Sequence, residues 1–297
     1  MRITNNMGMD NLLRNLNRNY KTMVKYEDQV SSGRRINRPS DDPAGTVDAL
    51  RLRTELNQIA DYKKNIDDGA VWLGTTEAAL NEAKDIVMRL QEIAIYAGGA
   101  GMEQSSLNAL ALETEQLLEH LVQVGNSSYG DRYIFGGYKT NTEPFTVTRD
   151  GNGRLTDVTY NGDQAIITRE IGKYADLQIN LTGDEVFGNL FSAGINLAAD
   201  LREGSTGNLD DHISALGDGL DQVLGSLATV GARTNRLELS RNRLINIEID
   251  SIKLLSEIED VDIAEAIMKL AAAENTYKAS LSVGARIIQP SLLDYLR

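Results

Sequence analysis

The fold class predicted is mainly α with a β-rich insert: an elongated antiparallel helical bundle or coiled coil, formed by the N- and C-terminal segments, plus a small central β domain. Three observations predict it. Only four prolines occur in 297 residues, at 39, 43, 144 and 290, so two long blocks contain nothing that must break a helix. In both blocks apolar residues recur at alternating steps of four and three, the rhythm of a heptad seam. Between them, over residues 127–188, the period falls to two and Thr, Val, Ile and Tyr become common.

The first seam is Met9, Leu13, Leu16, Tyr20, Met23 and Val30, with Glu27 in its one gap. It stops at Gly33. Residues 34–45, which include Arg34, Asn37, Asp41, Asp42, Pro43 and Gly45, carry turn chemistry: prolines fix φ, glycine frees it, and the two aspartates can cap the next helix. That helix shows Leu52, Leu56, Ile59 and Ile66. After Gly74, a cap at Thr75 or Thr76 is expected to start a separate helix with Ala79, Ala83, Ile86, Leu90, Ile93 and Ala97 on its seam. Glycine-rich 98–101 ends it, and a further helix from about Glu103 carries Leu107, Leu110, Leu117, Leu121 and Val124.

Strands are expected at Phe145–Arg149, Leu155–Tyr160, 164–171 and 174–181, with hairpin signals at 150–153 and at Asn161-Gly162. The helical rhythm resumes near Asn208 and runs through Leu209, Leu216, Val223, Val230, Leu237 and Leu244 for about fifty residues, roughly 75 Å of helix. Gly217, Gly219, Gly225 and Gly231 each weaken it by about 1 kcal/mol relative to alanine. Packing against partners must therefore hold it. After acidic 257–262, a last seam runs Ile263, Ile267, Leu270, Tyr277, Leu281 and Ile288, and Pro290 ends it before Leu292, Leu293 and Leu296. The expected domains are 1–38 with 262–297, 39–128 with 205–261, and a β-rich 129–204.

Composition narrows the function. There is no cysteine, which removes disulfides, thiolate metal sites and thiol nucleophiles, and only two histidines, His120 and His212. The net charge of −13 argues against nucleic acid as a partner. Eight basic residues against three acidic ones give residues 1–38 a charge of +5, which leaves −18 for the remainder. Complementarity to acidic neighbouring helices accounts for that better than a membrane surface. No run approaches the roughly 18 apolar residues of a membrane span, and the first ten residues lack the apolar core of a cleaved signal. No phosphate-binding glycine motif, metal-ligand spacing or nucleophile with its base is present, so neither cofactor nor metal nor catalytic residue is expected. Asp41 and Asp42 read as turn and cap, Asp260 and Asp262 as charges on different helix faces pairing between subunits, and Asp211 beside His212 as a helix start.

Matching seams near both termini can satisfy each other if the chain goes out along one helix and returns along its partner. Two helices alone make a thin core, so each leaves a side uncovered. The ends are therefore expected to be completed by neighbouring subunits. The residues expected to form that assembly interface are Leu13, Leu16, Tyr20, Met23, Val30, Ile263, Ile267, Leu270, Tyr277, Leu281, Ile288, Leu292, Leu293 and Leu296. An ordinary single-chain bundle or a coiled-coil rod of another kind shares the same periodicity.

Particular strings go further. Residues 29–37 (QVSSGRRIN) with 41–45 (DDPAG), 231–238 (GARTNRLE) and 259–265 (EDVDIAE) resemble the signatures of the flagellin family, in family order. The opening Met1-Arg2-Ile3-Thr4, the proline in DDPAG, residues 132–137 (RYIFGG) and the closing 289–296 (QPSLLDYL) resemble the family's members at the junction of hook and filament. The resemblance implies a structural, non-enzymatic subunit, exported unfolded through the flagellar type III apparatus and escorted by an export chaperone. It implies self-assembly as a helical layer outside the cell, between a hook-associated protein on the hook side and flagellin on the filament side. The terminal helices would form the inner tube and the β domain the outer surface. A filament flagellin is the alternative within the family.

Overall fold

The computed structural model describes residues 2–99 and 102–288. Leu292, Leu293 and Leu296, and the side chain of Ile288, lie outside the described residues. The helices are α1 (Arg2–Ser32), α2 (Pro43–Ala97), α3 (Gln104–Gly125), α4 (Gly183–Phe187), α5 (Leu190–Glu203), α6 (Leu209–Glu259) and α7 (Ile263–Ile288). Between α3 and α4 lie three antiparallel hairpins: β1 (Ser128–Tyr129) with β2 (Arg132–Tyr133), β3 (Phe145–Arg149) with β4 (Leu155–Tyr160), and β5 (Thr168–Gly172) with β6 (Ala175–Gln178). A long-helix protein with a small β region is thus the architecture. The chain divides into two compact units, residues 1–58 with 246–297, and residues 59–245.

Three expectations about elements are corrected. No break occurs at Gly74, where α2 runs straight through. Thr75 and Thr76 donate their hydroxyls back to the carbonyls of Val71 and Trp72 instead of capping a new start. One glycine costs about 1 kcal/mol, too little to end a helix whose Leu73, Leu80, Val87 and Leu90 are fully buried. The segment assigned wholly to the β domain contains α5, packed on α3. Its Leu190, Gly194, Leu197 and Leu201 keep a four-three-four spacing. The last two strands are shorter than expected, because Tyr174 stands at the hairpin tip in the left-handed region (φ 62°), fully in solvent, and at the other end the Asn180 side chain takes the Ile167 N–H and donates to the Ala165 carbonyl in place of a backbone ladder.

The second unit owns a core of its own. α2 and α6 run antiparallel there, with Gly69 against Leu237 and Gly217 against Gln91. All four phenylalanines of the chain, Phe135, Phe145, Phe187 and Phe191, meet in one buried cluster with Tyr160 on its edge. Sequence-distant pieces are fastened to that cluster by side-chain hydrogen bonds to the backbone. Asn126, just past α3, exchanges two 2.8 Å hydrogen bonds with the backbone of Phe145 as a strand would. The Tyr160 hydroxyl, pushed up to about 12 by burial, stays protonated and donates toward the carbonyls of Phe135 and Asp163. Gly125 and Gly183 lie flat on the Phe145 ring, where an added Cβ would stand 2.7 Å from it.

Candidate assembly interface

Within the first unit, α1 and α7 pair antiparallel, although more than two hundred residues separate them. Asn19 Nδ2 donates to Ser280 Oγ at 2.7 Å, the Tyr20 and Tyr277 rings lie 5.7 Å apart, and Gly284 backs onto Leu12. The side chains that this pairing covers fall at strict four-three steps: Leu12, Leu16, Asn19, Met23, Tyr26 and Val30 on α1, and Ala266, Leu270, Ala273, Tyr277, Ser280 and Gly284 on α7. α7 thus turns mostly small residues toward α1, which lets the two backbones approach.

This divides the expected seam. Leu16, Met23, Val30, Leu270 and Tyr277 fall on the covered stripe. Leu13 and Ile267 are each 51% exposed, Ile263 and Leu281 are exposed as well, and Tyr20 touches Tyr277 from an exposed edge. Met9, Met268 and Val283 add to the uncovered apolar surface. Isolated surface aliphatics need no explanation, but a row along one two-helix ribbon does. The heptad count finds apolar positions, and the small residues opposite decide which of them turn inward.

The two chain passages at the base of this ribbon are interrupted at the same level, 33–42 on one and 260–262 on the other. Backbone bonds tie the interruptions together: Arg34 bridges Asp260, the Arg35 N–H donates to the Glu259 carbonyl at 2.6 Å, and the Val261 N–H to the Gly33 carbonyl at 3.0 Å. Gly33 (φ 70°) supplies the left-handed turn that ends α1. Asp42 caps α2 by accepting the Gly45 N–H, with Pro43 at the first helical position, where its missing donor costs nothing. Asn37 accepts from the Ser32 hydroxyl, and Asp41 accepts the Arg38 N–H and pairs with Lys25. Contrary to expectation, Asp260 and Asp262 do not sit on helix faces. They lie in the link, where Asp262 Oδ1 caps α7 through the N–H groups of Ala264 and Glu265.

Sequence reading missed four residues here: Gln29, Arg35, Arg53 and Glu259. Gln29 and Glu259 are nearly buried, Gln29 donates to the Arg35 carbonyl, and Arg53 pairs with Glu259 at 2.7 Å. Gln29, Arg35 and Glu259 lie inside the family-like strings, but nothing in those strings shows what each one contacts. Only the fold brings Arg53 and Glu259 together.

The joint is expected to weaken in acid. The Gly45 N–H and the Arg35 guanidinium hold Asp42 below the ordinary aspartate value of 3.8; burial pushes Asp41 up, but the Arg38 N–H and Lys25 more than offset it. Folding lowers both values, so their stabilisation is fully present above that value and is lost as pH falls through the folded pKa values. Thermal melts followed by circular dichroism should therefore show a midpoint that drops on acidification toward pH 3, and Asp42→Asn should lower it at neutral pH while flattening its acid dependence.

Among the described residues no group of three His, Cys, Asp or Glu side chains is placed to hold a metal ion, and no helix is long and apolar enough to cross a membrane. Shallow grooves run along α1 in the first unit, among them one beside the joint (about 390 Å³), one between α1 and α7 (about 250 Å³) and one on the α1 surface from Arg14 to Lys25 (about 510 Å³).

Comparison with known proteins agrees with this layout. Residues 3–140 match the bacterial flagellin N-terminal helical region and residues 213–296 the bacterial flagellin C-terminal helical region. The chain is 25% identical over 311 residues to the flagellar hook-associated protein 3 of Escherichia coli (strain K12), covering 94% of this chain and 96% of that protein. It is 25% identical over 297 residues to the flagellin of Bacillus subtilis (strain 168), covering 97% of each. Its fold resembles that of flagellar hook associated protein-3 from Legionella pneumophila, with a TM-score of 0.63 and 17% identity, over 70% of this chain and 99% of that one. Both helical blocks, in order, match the N- and C-terminal helical regions of one family, and the chain therefore belongs to the bacterial flagellins and their relatives, structural proteins of the flagellum.

Proposed function

We propose that the protein is the adapter that joins the flagellar hook to the filament, assembling as a short helical layer through its terminal helices. The observation that carries this is the α1–α7 ribbon, which covers one stripe of each helix and leaves Leu13, Ile263, Ile267 and Leu281 bare. Such a ribbon is completed by other ribbons, which is how a tube is made from slender subunits. Full-length likeness to both a hook-associated protein and a flagellin fits a subunit whose neighbours are of both kinds. The opening MRIT, the DDPAG turn and the closing QPSLLDYL favour the junction over the filament.

On this reading the assembly residues are those of both stripes together with Ile288, Leu292, Leu293 and Leu296, and residues 1–38 with 262–297 form the inner tube domain. Residues 39–128 with 205–261 form a helical domain and 129–204 the outermost one. The hook-side partner is a hook-associated protein, the filament-side partner is flagellin, and an export chaperone holds the bare apolar stripes before assembly. The location is extracellular, and the role is structural rather than enzymatic.

Deleting the gene and imaging the cells tests the proposal. An adapter's loss leaves hooks in place and flagellin shed into the medium, with both restored by the wild-type gene. Cells that keep attached filaments would contradict it, and abundant self-polymerised protein would mark a filament flagellin instead.

A further inference from the structure

Arg35 occupies a position that neither its exposure nor the turn chemistry around it explains. Its guanidinium is forked between two helices: Nη2 donates to the Ile258 carbonyl in the last turn of α6 at 2.7 Å, and Nη1 pairs at 3.1 Å with Asp42, the cap of α2. Its backbone is held from both sides as well. The N–H donates to the Glu259 carbonyl, and the carbonyl accepts from Gln29, a nearly buried side chain on α1. One residue therefore touches the end of α6, the start of α2 and the end of α1. A cation at a helix C-terminus and a charge-assisted bond to a helix cap are each favourable, and a planar fork makes both at once where a point charge makes one.

Each crossing at this level is a non-helical link, and a single link would swivel. We propose that Arg35 is a positioning residue that locks the two links into one joint and so fixes the angle between the α1–α7 ribbon and the adjoining ends of α2 and α6, residues 43–58 and 246–259. The joint matters because identical subunits close into a regular layer only when each presents its ribbon at the same angle. The inference deepens the assembly reading, but its test uses the isolated subunit and does not depend on which flagellar layer the protein forms.

The natural absence of cysteine permits site-specific spin labels. Cysteines replacing Asn17 on α1 and Glu55 on α2, both exposed, report the angle as a distance distribution by pulsed electron spin resonance. The wild-type background is expected to give one narrow peak. Arg35→Ala should lose it to a broad distribution, and Arg35→Lys should not restore it, while helicity and Trp72 fluorescence remain native. Arg51→Ala, which removes an exposed arginine one helical turn from Asp48, serves as the control and should leave the peak unchanged. A narrow, unshifted peak in Arg35→Ala would overturn the proposal. So would full rescue by Arg35→Lys, which would leave charge alone, without the fork, as the cause.

Discussion

Glutamate at Ile267 and Leu281 is expected to abolish assembly while leaving the monomer folded. Both side chains stand outside the α1–α7 seam, so the isolated subunit loses little; surface changes of this kind usually stay within about 0.5 kcal/mol. In the proposed assembly the same positions become covered. Because each side chain is already about half buried in the free subunit, each substitution then removes the other half of the roughly 1.5–3 kcal/mol of full apolar burial, and adds several kcal/mol for desolvating a carboxylate. Since about 1.4 kcal/mol is a factor of ten, two such sites per interface weaken association by several orders of magnitude. Gly284→Leu on the same helix makes the opposite case. It drives a side chain into Leu12, from which an added Cβ is only 3.1 Å away, and so should disrupt the ribbon already in the monomer. Light scattering under assembly conditions and circular dichroism of the monomer separate the two classes. If the glutamate variant polymerises normally, the bare stripe is not an interface.

Phe187→Ala should cost about 3–5 kcal/mol of stability. The ring has no solvent exposure and meets Phe135 and Phe145 edge-to-face, at centroid distances of 5.1 and 5.6 Å, with Phe191 at 6.0 Å. These residues come from the loop between the first two hairpins, from β3, and from the helices after the hairpins, and the cavity left behind is lined by rings, among them Phe145 already constrained by Gly125 and Gly183, that are unable to collapse far. The loss is a large share of the roughly 5–15 kcal/mol that domains possess. Trp72, the only tryptophan, is buried in the same unit, so urea unfolding followed by its fluorescence reads the effect directly. A loss below about 1 kcal/mol would mean that the cluster is peripheral to that unit's core.

Much of this was legible in the sequence, and the parts that were not share a cause. The length of α6 followed from its heptads, and the pairing of α1 with α7 from having an apolar stripe at each end. Which side of each stripe turns inward did not, because Ala266, Ala273, Ser280 and Gly284 carry little weight in an apolar pattern yet decide how close two backbones come. α5 had a signal, Leu190, Leu197 and Leu201 at helical spacing, that was masked by glycines and by the strand-like region before it. Gly74 misled because a glycine is read locally, whereas its helix is held by burial on either side. At the joint, the capping role of Asp42 is local and readable; the contact from Arg35 to Ile258 spans more than two hundred residues, and only the fold creates it.

Amide hydrogen exchange, compared between the free subunit and the assembled layer, tests most directly whether the terminal ribbon is incomplete alone. Amides of residues 7–32 and 263–286 should exchange far faster in the free subunit than those of 73–94 and 216–237, and should become protected on assembly. Terminal amides as slow in the free subunit as those of the long-helix core, or no slower in the assembled layer, would contradict the account.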